Sequence, residues 1–209
     1  MLNELFIKSR DFININNQDY FRYFLNTHHL EHRLSIIIGS RGVGKTTTVA
    51  QYIRKHYKEE EALYINLDNI VHTSKFTMVE IAEEFVLHGG RLLCFDEIHK
   101  YDTWSAELKN IYDRFDKLKV IATGSSALQI NKGSHDLSRR AIVYNMVGMS
   151  FREFLELHYG YSLEHYSLED ILGEHSPIAT HIKGIIESKN KKLIPLFQDY
   201  LKFGYYPYY

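Results

Sequence analysis

The chain has 209 residues, of which 44% are hydrophobic and 24% are charged, and its formal net charge at pH 7 is −1. These values are typical of a globular protein, and the balanced charge excludes a global basic field that would attract nucleic acid or an anionic membrane. The single cysteine, Cys94, cannot form an internal disulfide. No apolar stretch approaches the roughly 18 residues that a membrane helix needs, and the N-terminus lacks the order of a signal peptide. The sequence therefore predicts a soluble, cytoplasmic protein.

The first part of the chain predicts a helical lead-in, residues 1–30, followed by a strand and a helix. Gln18–His28 has helical spacing of its aromatic and aliphatic side chains. Arg33–Ile38 is rich in β-branched residues and is predicted to be the first strand. Lys45–Lys58 is predicted to be a helix whose inner face consists of Val49, Tyr52 and Ile53.

Strands and helices alternate along the middle of the chain. Capping boxes at Thr77–Glu80 and Ser150–Glu153 predict helix starts, and Thr103 is predicted to cap another helix. The further predicted strands are Ala62–Asp68, Arg91–Glu97, Lys119–Thr123 and a fifth that opens at Ala141–Tyr144.

This alternation predicts the α/β class for residues 31–160, with a parallel five-stranded sheet and helices on both of its faces. From Tyr161 to Tyr209 the apolar residues keep helical spacing, but no strand intervenes. Residues 161–209 are therefore predicted to form an α-helical subdomain.

The segment after the first predicted strand fits the pattern G-x-x-x-x-G-K-[ST] at every required position, and a predicted helix follows it. Its glycines let the backbone turn so that successive N–H groups face an anion, and the helix adds its positive dipole end. Lys45 is predicted to reach the β- and γ-phosphates, and the Thr46 hydroxyl to ligate Mg²⁺. The predicted nucleotide-binding residues are Gly39, Ser40, Arg41, Gly42, Val43, Gly44, Lys45, Thr46 and Thr47.

The third predicted strand ends in two acids, Asp96 and Glu97. Parallel sheets bind ligands at the carboxyl ends of their strands, so Asp96 is predicted to orient the magnesium shell and Glu97 to polarise a water for attack on the γ-phosphate. A small-molecule kinase has no use for a water-activating glutamate. A GTPase usually carries Asn-Lys-x-Asp, and the nearest segment, Asn131–Ser134, has Ser in place of the aspartate. The sequence therefore favours ATP with Mg²⁺.

Four separated segments carry a family likeness. In chain order they are Gly39–Thr46, Leu93–Lys100, Ile121–Ser126 and Leu137–Arg140, the last followed by Ser150–Leu155. Together they resemble the AAA+ P-loop ATPases, and most closely a prokaryotic AAA family whose members carry a C-terminal domain of uncharacterised role. The resemblance covers about residues 30–160.

The resemblance implies two further catalytic residues beside Glu97. In such proteins the fourth strand ends in a polar sensor, which corresponds to Ser125, with Thr123 as the second choice. An arginine just before the fifth strand is similar in placement to the finger that reaches a neighbouring subunit's nucleotide; Arg140 matches it, and Arg139 is the alternative. The resemblance thus implies a homo-oligomer whose sites are completed in trans.

Several weaker features have two interpretations. His28 and His32 are interpreted as solvated or packed side chains rather than a metal site. Asn66 and Asp68 form either a plain strand-end turn or a polar pair that restrains Glu97. The aromatic end of the chain, Phe203–Tyr209, resembles the segment that leads into the family's C-terminal domain, so we expect a fragment or a shortened member. A cluster of lysines is either a solvated helix end or a DNA-binding patch: Lys183, Lys189, Lys191 and Lys192.

The leading interpretation is an ATPase that hydrolyses ATP to ADP and phosphate with Mg²⁺ and couples this to conformational change of itself or of a partner. One alternative is a switch that binds ATP with negligible turnover. Another is a DNA-associated regulatory module. The sequence does not identify a protein or DNA partner.

Overall fold

The computed structural model of the protein describes residues 2–16, 18–70, 76–125 and 137–208. The chain forms two compact units, residues 1–147 and residues 148–209. This boundary differs from the predicted one at 160/161 because the helix that begins at Phe151 belongs to the second unit. Its buried side chains pack in a cluster formed by Met149, Phe154, Leu155, Tyr161, Ile186 and Leu196.

A five-stranded parallel sheet organises the first unit, in the order β2-β3-β4-β1-β5. The strands are β1 (Leu34–Ile38), β2 (Ala62–Asn66), β3 (Leu92–Asp96), β4 (Lys119–Gly124) and β5 (Ile142–Asn145). The predicted α/β class is confirmed. Because the strands are parallel, their carboxyl ends meet at one edge of the sheet, and β4 lies between β1 and β3 there.

Among the described residues, two helices of the first unit precede the sheet in sequence, and the others follow or connect its strands. In the described ranges they are α1 (Leu2–Ile15), α2 (Phe24–Thr27), α3 (Lys45–His56), α4 (Leu67–Ile70), α5 (Met78–Leu87) and α6 (Trp104–Arg114). The described connections also contain 3₁₀ turns at Glu59–Glu61 and Ile98–Lys100. The capping box predicted at Thr77 forms, since its hydroxyl accepts from the Glu80 N–H and the Glu80 carboxylate accepts from the Thr77 N–H.

Apolar side chains alternate between the two faces of the sheet. One face packs against α5 and α6 in a buried cluster that includes Leu34, Ile36, Leu63, Leu93, Phe95, Val120, Phe85 and Leu108. The alternate residues Ile37, Cys94 and Ile121 are buried on the opposite face. There the Lys119 ammonium of β4 donates a 2.7 Å hydrogen bond to the Tyr52 hydroxyl of α3. Helices therefore cover both faces of the sheet.

Helix α1 runs along the outer edge of β2. The Ser9 hydroxyl oxygen accepts a 2.9 Å hydrogen bond from the Tyr64 N–H, and this contact satisfies a donor that the edge strand would otherwise leave unpaired. The helix predicted at Gln18–His28 is helical only at α2. The carbonyls of Gln18 and Tyr20 instead accept hydrogen bonds from the Gln51 side-chain amide, at 3.0 and 2.7 Å.

The second unit is helical, as expected for the end of the chain. Its helices are α7 (Phe151–Tyr159), α8 (Leu168–Gly173), α9 (His175–Glu187) and α10 (Leu193–Asp199), followed by a π-helical turn, Tyr200–Gly204. The capping box predicted at Ser150 and Glu153 forms, and Gly160 ends α7 with a φ of 63°. None of the helices in the described ranges is both long and apolar enough to span a bilayer.

Candidate functional site

The glycine-rich loop joins β1 to α3 at the carboxyl edge of the sheet. Gly42 and Gly44 have φ values of 87° and 98°, in the left-handed region that favours glycine, and Gly44 immediately precedes α3. A Cβ on Gly39 would collide with the Met146 carbonyl oxygen. The Val43 side chain is fully buried, whereas Ser40 and Arg41 are exposed. The loop therefore requires glycine at these positions, and its one apolar side chain anchors it in the core.

Lys45 begins α3 and is buried inside the loop. Its ammonium donates hydrogen bonds to the carbonyls of Gly39 and Ser40, at 2.8 and 2.9 Å. Burial lowers the pKa of the Lys45 ammonium from its ordinary value, while the carboxylates of Glu97 and Asp96 oppose this shift. The loop thus contains a positive charge at the place where successive N–H groups and a helix start would attract an anion.

The Asp96 carboxylate, at the end of β3, accepts hydrogen bonds from several elements. One oxygen, Oδ2, accepts from the Thr46 hydroxyl at 2.9 Å and from the Tyr64 hydroxyl at 2.5 Å. The other, Oδ1, accepts from the Thr123 hydroxyl and from the Glu97 N–H, the latter at 3.2 Å. Asp96 itself is 1% exposed. The loop, the second strand and the fourth strand therefore converge on one buried carboxylate.

Glu97 has an unusual backbone conformation. Its φ and ψ are 57° and 43°, in the left-handed region, although it is not glycine. Its N–H faces Asp96 Oδ1 and the Thr123 hydroxyl, at 3.2 and 3.4 Å. Backbone outliers of this kind concentrate at functional sites, where the surrounding contacts hold them.

The Glu97 carboxylate lies between Ser125 and His99. The Ser125 hydroxyl donates to Glu97 Oε2 at 3.4 Å and lies 3.2 Å from His99 Nε2. His99 Nδ1 lies 3.3 Å from Glu97 Oε2, which is within ion-pair distance but without hydrogen-bond geometry. The Glu97 and His99 side chains are 25% and 11% exposed, respectively. This carboxylate is therefore held in place and still reachable by solvent.

The two predicted sensor residues contact different acids. Thr123 contacts the buried carboxylate of Asp96, and Ser125 contacts Glu97. The predicted loop residues, both acids and both sensor candidates are thus brought together at the carboxyl edge of the sheet. Thr47 is adjacent to this cluster, and its hydroxyl is 3.4 Å from the Asn16 side-chain oxygen at the end of α1.

Arg140 directly precedes β5, so it lies at the amino ends of the strands, opposite the carboxyl ends where the loop lies. Its guanidinium forms a two-point ion pair with Asp113 of α6, with distances of 2.8 and 3.0 Å. The hydrogen bond from Arg140 lowers the pKa of the Asp113 carboxyl. Arg139 is exposed, and both arginines line a cavity of about 430 Å³ together with Arg33 and Tyr112. Within one chain the structure does not bring Arg140 to the loop.

Three residues at the site were not identified from the sequence: Tyr64, His99 and Arg22. Burial, followed by the charge of Asp96, raises the pKa of the Tyr64 hydroxyl, which therefore remains a donor. The buried Arg22 guanidinium donates to the carbonyls of Val43 and Val147, at 2.6 and 3.0 Å. His99 could have been suspected from its place after the acidic pair, but Arg22 and Tyr64 carry no local signal.

The weaker sequence features have simpler structural surroundings. The Asn66 side-chain oxygen accepts from the Asp68 N–H at 2.9 Å, and Asp68 lies 3.6 Å from Lys100, which fits a strand-end turn. The His28 ring packs 4.8 Å from the ring of Phe24. No group of three or more His, Cys, Asp or Glu residues suited to a metal occurs among the described residues. Asn131–Ser134 lies outside them.

The lysines near the end of α9 have partners within the second unit. The Lys189 ammonium donates to the carbonyls of Tyr159 and Gly160, at 3.3 and 2.9 Å. Lys183 lies 3.8 Å from the Glu187 carboxylate. These contacts account for two of the four lysines without nucleic acid.

Comparison with known proteins gives relatives in one archaeon. The chain is 34% identical over 148 residues to uncharacterized protein MJ1637 of Methanocaldococcus jannaschii, an alignment that covers 66% of this chain and 31% of the relative. It is 28% identical over 133 residues to uncharacterized protein MJ1544 of the same organism, covering 61% and 29%. In each alignment the chain spans less than a third of the length of the curated relative.

Two solved structures are similar over about three quarters of the chain. C. elegans PCH-2 aligns with a TM-score of 0.43 and 14% identity, covering 74% of this chain and 44% of that one. The S. cerevisiae Hsp104–ADP complex aligns with a TM-score of 0.44 and 20% identity, covering 75% and 25%.

A family model described as an AAA domain matches residues 31–155, which is more than half of the chain. The matched region contains the glycine-rich loop, the acidic pair and all five strands of the sheet. The chain therefore belongs to the AAA family of P-loop ATPases.

Proposed function

We propose that this protein binds ATP with Mg²⁺ and hydrolyses it to ADP and phosphate, with Glu97 as the general base. The observation that supports this most directly is the placement of the Glu97 carboxylate. It directly follows the Asp96 carboxylate that contacts Thr46, it contacts Ser125, and it remains partly exposed. A general base must be within reach of a water molecule and close to the bound phosphate, and the position of Glu97 suits both conditions.

The residues at the start of α3 and the end of β3 suit a magnesium ion. Thr46 and Asp96 offer a hydroxyl and a carboxylate within 2.9 Å of each other, and Mg²⁺ prefers such hard oxygen ligands. When bound, such an ion would supply positive charge that stabilises the negative charge developing on the phosphates. Thr46 and Asp96 are therefore the residues proposed to hold it.

The loop residues are proposed to bind the phosphates before any bond is broken. The loop and the first turn of α3 would donate backbone N–H groups, and the Lys45 ammonium would exchange the carbonyls of Gly39 and Ser40 for phosphate oxygens. Phosphates are stronger acceptors than carbonyls because they are charged. The exchange would also stabilise the charged form of Lys45, which burial disfavours.

Glu97 is proposed to accept a proton from the attacking water, and Ser125 to sense the γ-phosphate through its contact with the same carboxylate. Arg140 is proposed to act on the site of a neighbouring subunit, because within its own chain it lies at the far edge of the sheet. The energy of hydrolysis would then change the conformation of the chain or of its partners.

The experiment that tests hydrolysis compares phosphate release by the wild type, Glu97→Gln and the exposed control Glu60→Gln, at saturating ATP and Mg²⁺. We expect Glu97→Gln to lower the rate by roughly 10²- to 10⁴-fold, the usual contribution of a general base. ATP affinity, measured by calorimetry, should be retained in all three proteins. Equal background rates in the wild type and Glu97→Gln would instead identify a switch that binds ATP without turnover.

A further inference from the structure

Tyr64 reaches the proposed magnesium site from the edge strand. In the sheet register Tyr64 pairs with Cys94, and Asp96 lies two residues further along β3 on the same face. A long side chain spans this diagonal, and the Tyr64 hydroxyl donates to Asp96 Oδ2 at 2.5 Å. The Thr46 hydroxyl donates to the same oxygen. Tyr64 therefore contacts the same carboxylate oxygen as Thr46.

Helix α1 holds Tyr64 in two ways. The ring of Phe12 stacks on the ring of Tyr64, with centroids 3.5 Å apart and an interplanar angle of 5°. One turn earlier on α1, the buried Ser9 hydroxyl accepts the Tyr64 N–H at 2.9 Å. Both the backbone and the side chain of Tyr64 are thus fixed by α1.

Helix α1 lies outside residues 31–155, which match the AAA domain. Yet its contacts lead through one side chain to the carboxylate at the centre of the site. Groups that hydrogen-bond to a metal-binding carboxylate set its orientation, and their loss typically costs about 10- to 100-fold in metal affinity. Through Tyr64, the contacts of α1 therefore bear on the orientation of the carboxylate proposed to bind Mg²⁺.

We propose that Tyr64 is a positioning residue for the Asp96 carboxylate, and that α1 controls the affinity for Mg²⁺ through Phe12, Ser9 and Tyr64. This inference rests on the proposed function, because it needs a magnesium site at Asp96. It assigns a role at the nucleotide site to α1, which lies outside the AAA domain. Loss of the contacts from Ser9 and Phe12 to Tyr64 would weaken Mg²⁺ binding.

The test measures ADP binding by calorimetry, first in EDTA and then over a series of Mg²⁺ concentrations. For Tyr64→Phe we expect the Mg²⁺ concentration at half-maximal enhancement to rise about 10-fold or more. The ADP affinity in EDTA should not change, because the phenyl ring keeps the stack on Phe12 and the loop is untouched. Tyr52→Phe is the matched control, since it also removes the hydroxyl of a buried tyrosine, but one that accepts from Lys119.

The role of α1 is tested with Phe12→Ala. This variant should raise the required Mg²⁺ concentration in the same direction, and it should add nothing further in the Tyr64→Phe background, since Phe12 acts through Tyr64. Phe6→Ala is the control on the same helix, because the Phe6 ring lies 5.9 Å from Phe85 and not against Tyr64. Additive effects of Phe12→Ala and Tyr64→Phe would overturn the route through Tyr64.

The outcomes separate this inference from the proposed function. A wild type whose ADP affinity gains nothing from Mg²⁺ would overturn both. A wild type that gains from Mg²⁺, beside a Tyr64→Phe variant with the same Mg²⁺ requirement, would overturn the inference alone. Equal losses in EDTA and in Mg²⁺ would also overturn it, because they indicate general damage to the site.

Discussion

The Thr46 hydroxyl donates a 2.9 Å hydrogen bond to the Asp96 carboxylate, across 50 residues of sequence. The bond joins the first turn of α3 to the last residue of β3. Helix α3 follows β1, and β1 and β3 are not neighbours in the sheet because β4 lies between them. The Thr123 hydroxyl of β4 therefore contacts the Asp96 carboxylate, and the Ser125 hydroxyl, directly after β4, contacts the Glu97 carboxylate. The sheet order explains why a sensor from β4 can contact a base from β3.

Replacing Lys45 with Ala should weaken ADP and ATP binding by roughly 10- to 100-fold. A hydrogen bond from a charged group contributes about 1.5–3 kcal/mol, and each 1.4 kcal/mol corresponds to about tenfold in affinity. Calorimetry in EDTA isolates this loss from any effect on the metal. Lys55→Ala is the matched control, since Lys55 is exposed at the other end of α3. An unchanged affinity in Lys45→Ala would contradict the phosphate-binding role of the loop.

His99→Ala should lower kcat by roughly 10- to 100-fold while leaving the affinity for ATP unchanged, because a misplaced catalytic group costs rate rather than binding. His99 contacts both Glu97 and Ser125, and its removal frees the base to move. His99→Gln should retain more activity, because an amide can still bond to the Ser125 hydroxyl. His88→Ala is the control, since that exposed ring bonds to the Glu84 carbonyl of its own helix. A fall in ATP affinity without a fall in kcat would refute this positioning role.

Arg22→Ala should lower the free energy of unfolding by about 1–3 kcal/mol, because the carbonyls of Val43 and Val147 lose a buried donor. Urea denaturation followed by circular dichroism measures this change. Nucleotide binding should weaken as well, since the Val43 carbonyl belongs to the loop. Arg10→Ala, at an exposed position of α1, should leave both quantities unchanged. A variant as stable as the wild type would show that the loop does not depend on Arg22.

The sequence is sufficient to predict features that depend on residues close together in the chain. The loop, the acidic pair, the two capping boxes and the five strands are local patterns, and the structure has them close to where they were expected. Tyr64 could not be assigned in this way, since its hydroxyl meets Asp96 only after β2 pairs with β3 in one register. The first part of the predicted helix Gln18–His28 is not helical for a similar reason. The carbonyls of Gln18 and Tyr20 accept hydrogen bonds from the Gln51 side chain, which comes from a distant part of the chain.

Arg140 makes an ion pair with Asp113 in its own chain and lies at the sheet edge opposite the loop, so its proposed catalytic role requires a neighbouring subunit. Arg140→Ala should be nearly inactive alone, because a trans arginine contributes roughly 10³- to 10⁵-fold in rate. Glu97→Gln should be nearly inactive alone because it lacks the general base. Mixed in equal amounts, the two variants should regain roughly a quarter of the wild-type rate of phosphate release. Random assembly pairs an intact Glu97 with an intact Arg140 at about a quarter of head-to-tail interfaces.

The control for this mixing experiment is Arg139→Ala, which should stay active alone if Arg140 is the finger, since Arg139 is exposed next to it. The opposite pattern, an inactive Arg139→Ala that recovers on mixing with Glu97→Gln, would transfer the role to Arg139. Specific activity of the wild type should also rise with protein concentration, because a trans site exists only in the assembled state. A mixture no more active than its components, together with a flat concentration dependence, would exclude a trans finger. In that case the pairing of Arg140 with Asp113 would be a structural contact between α6 and the start of β5.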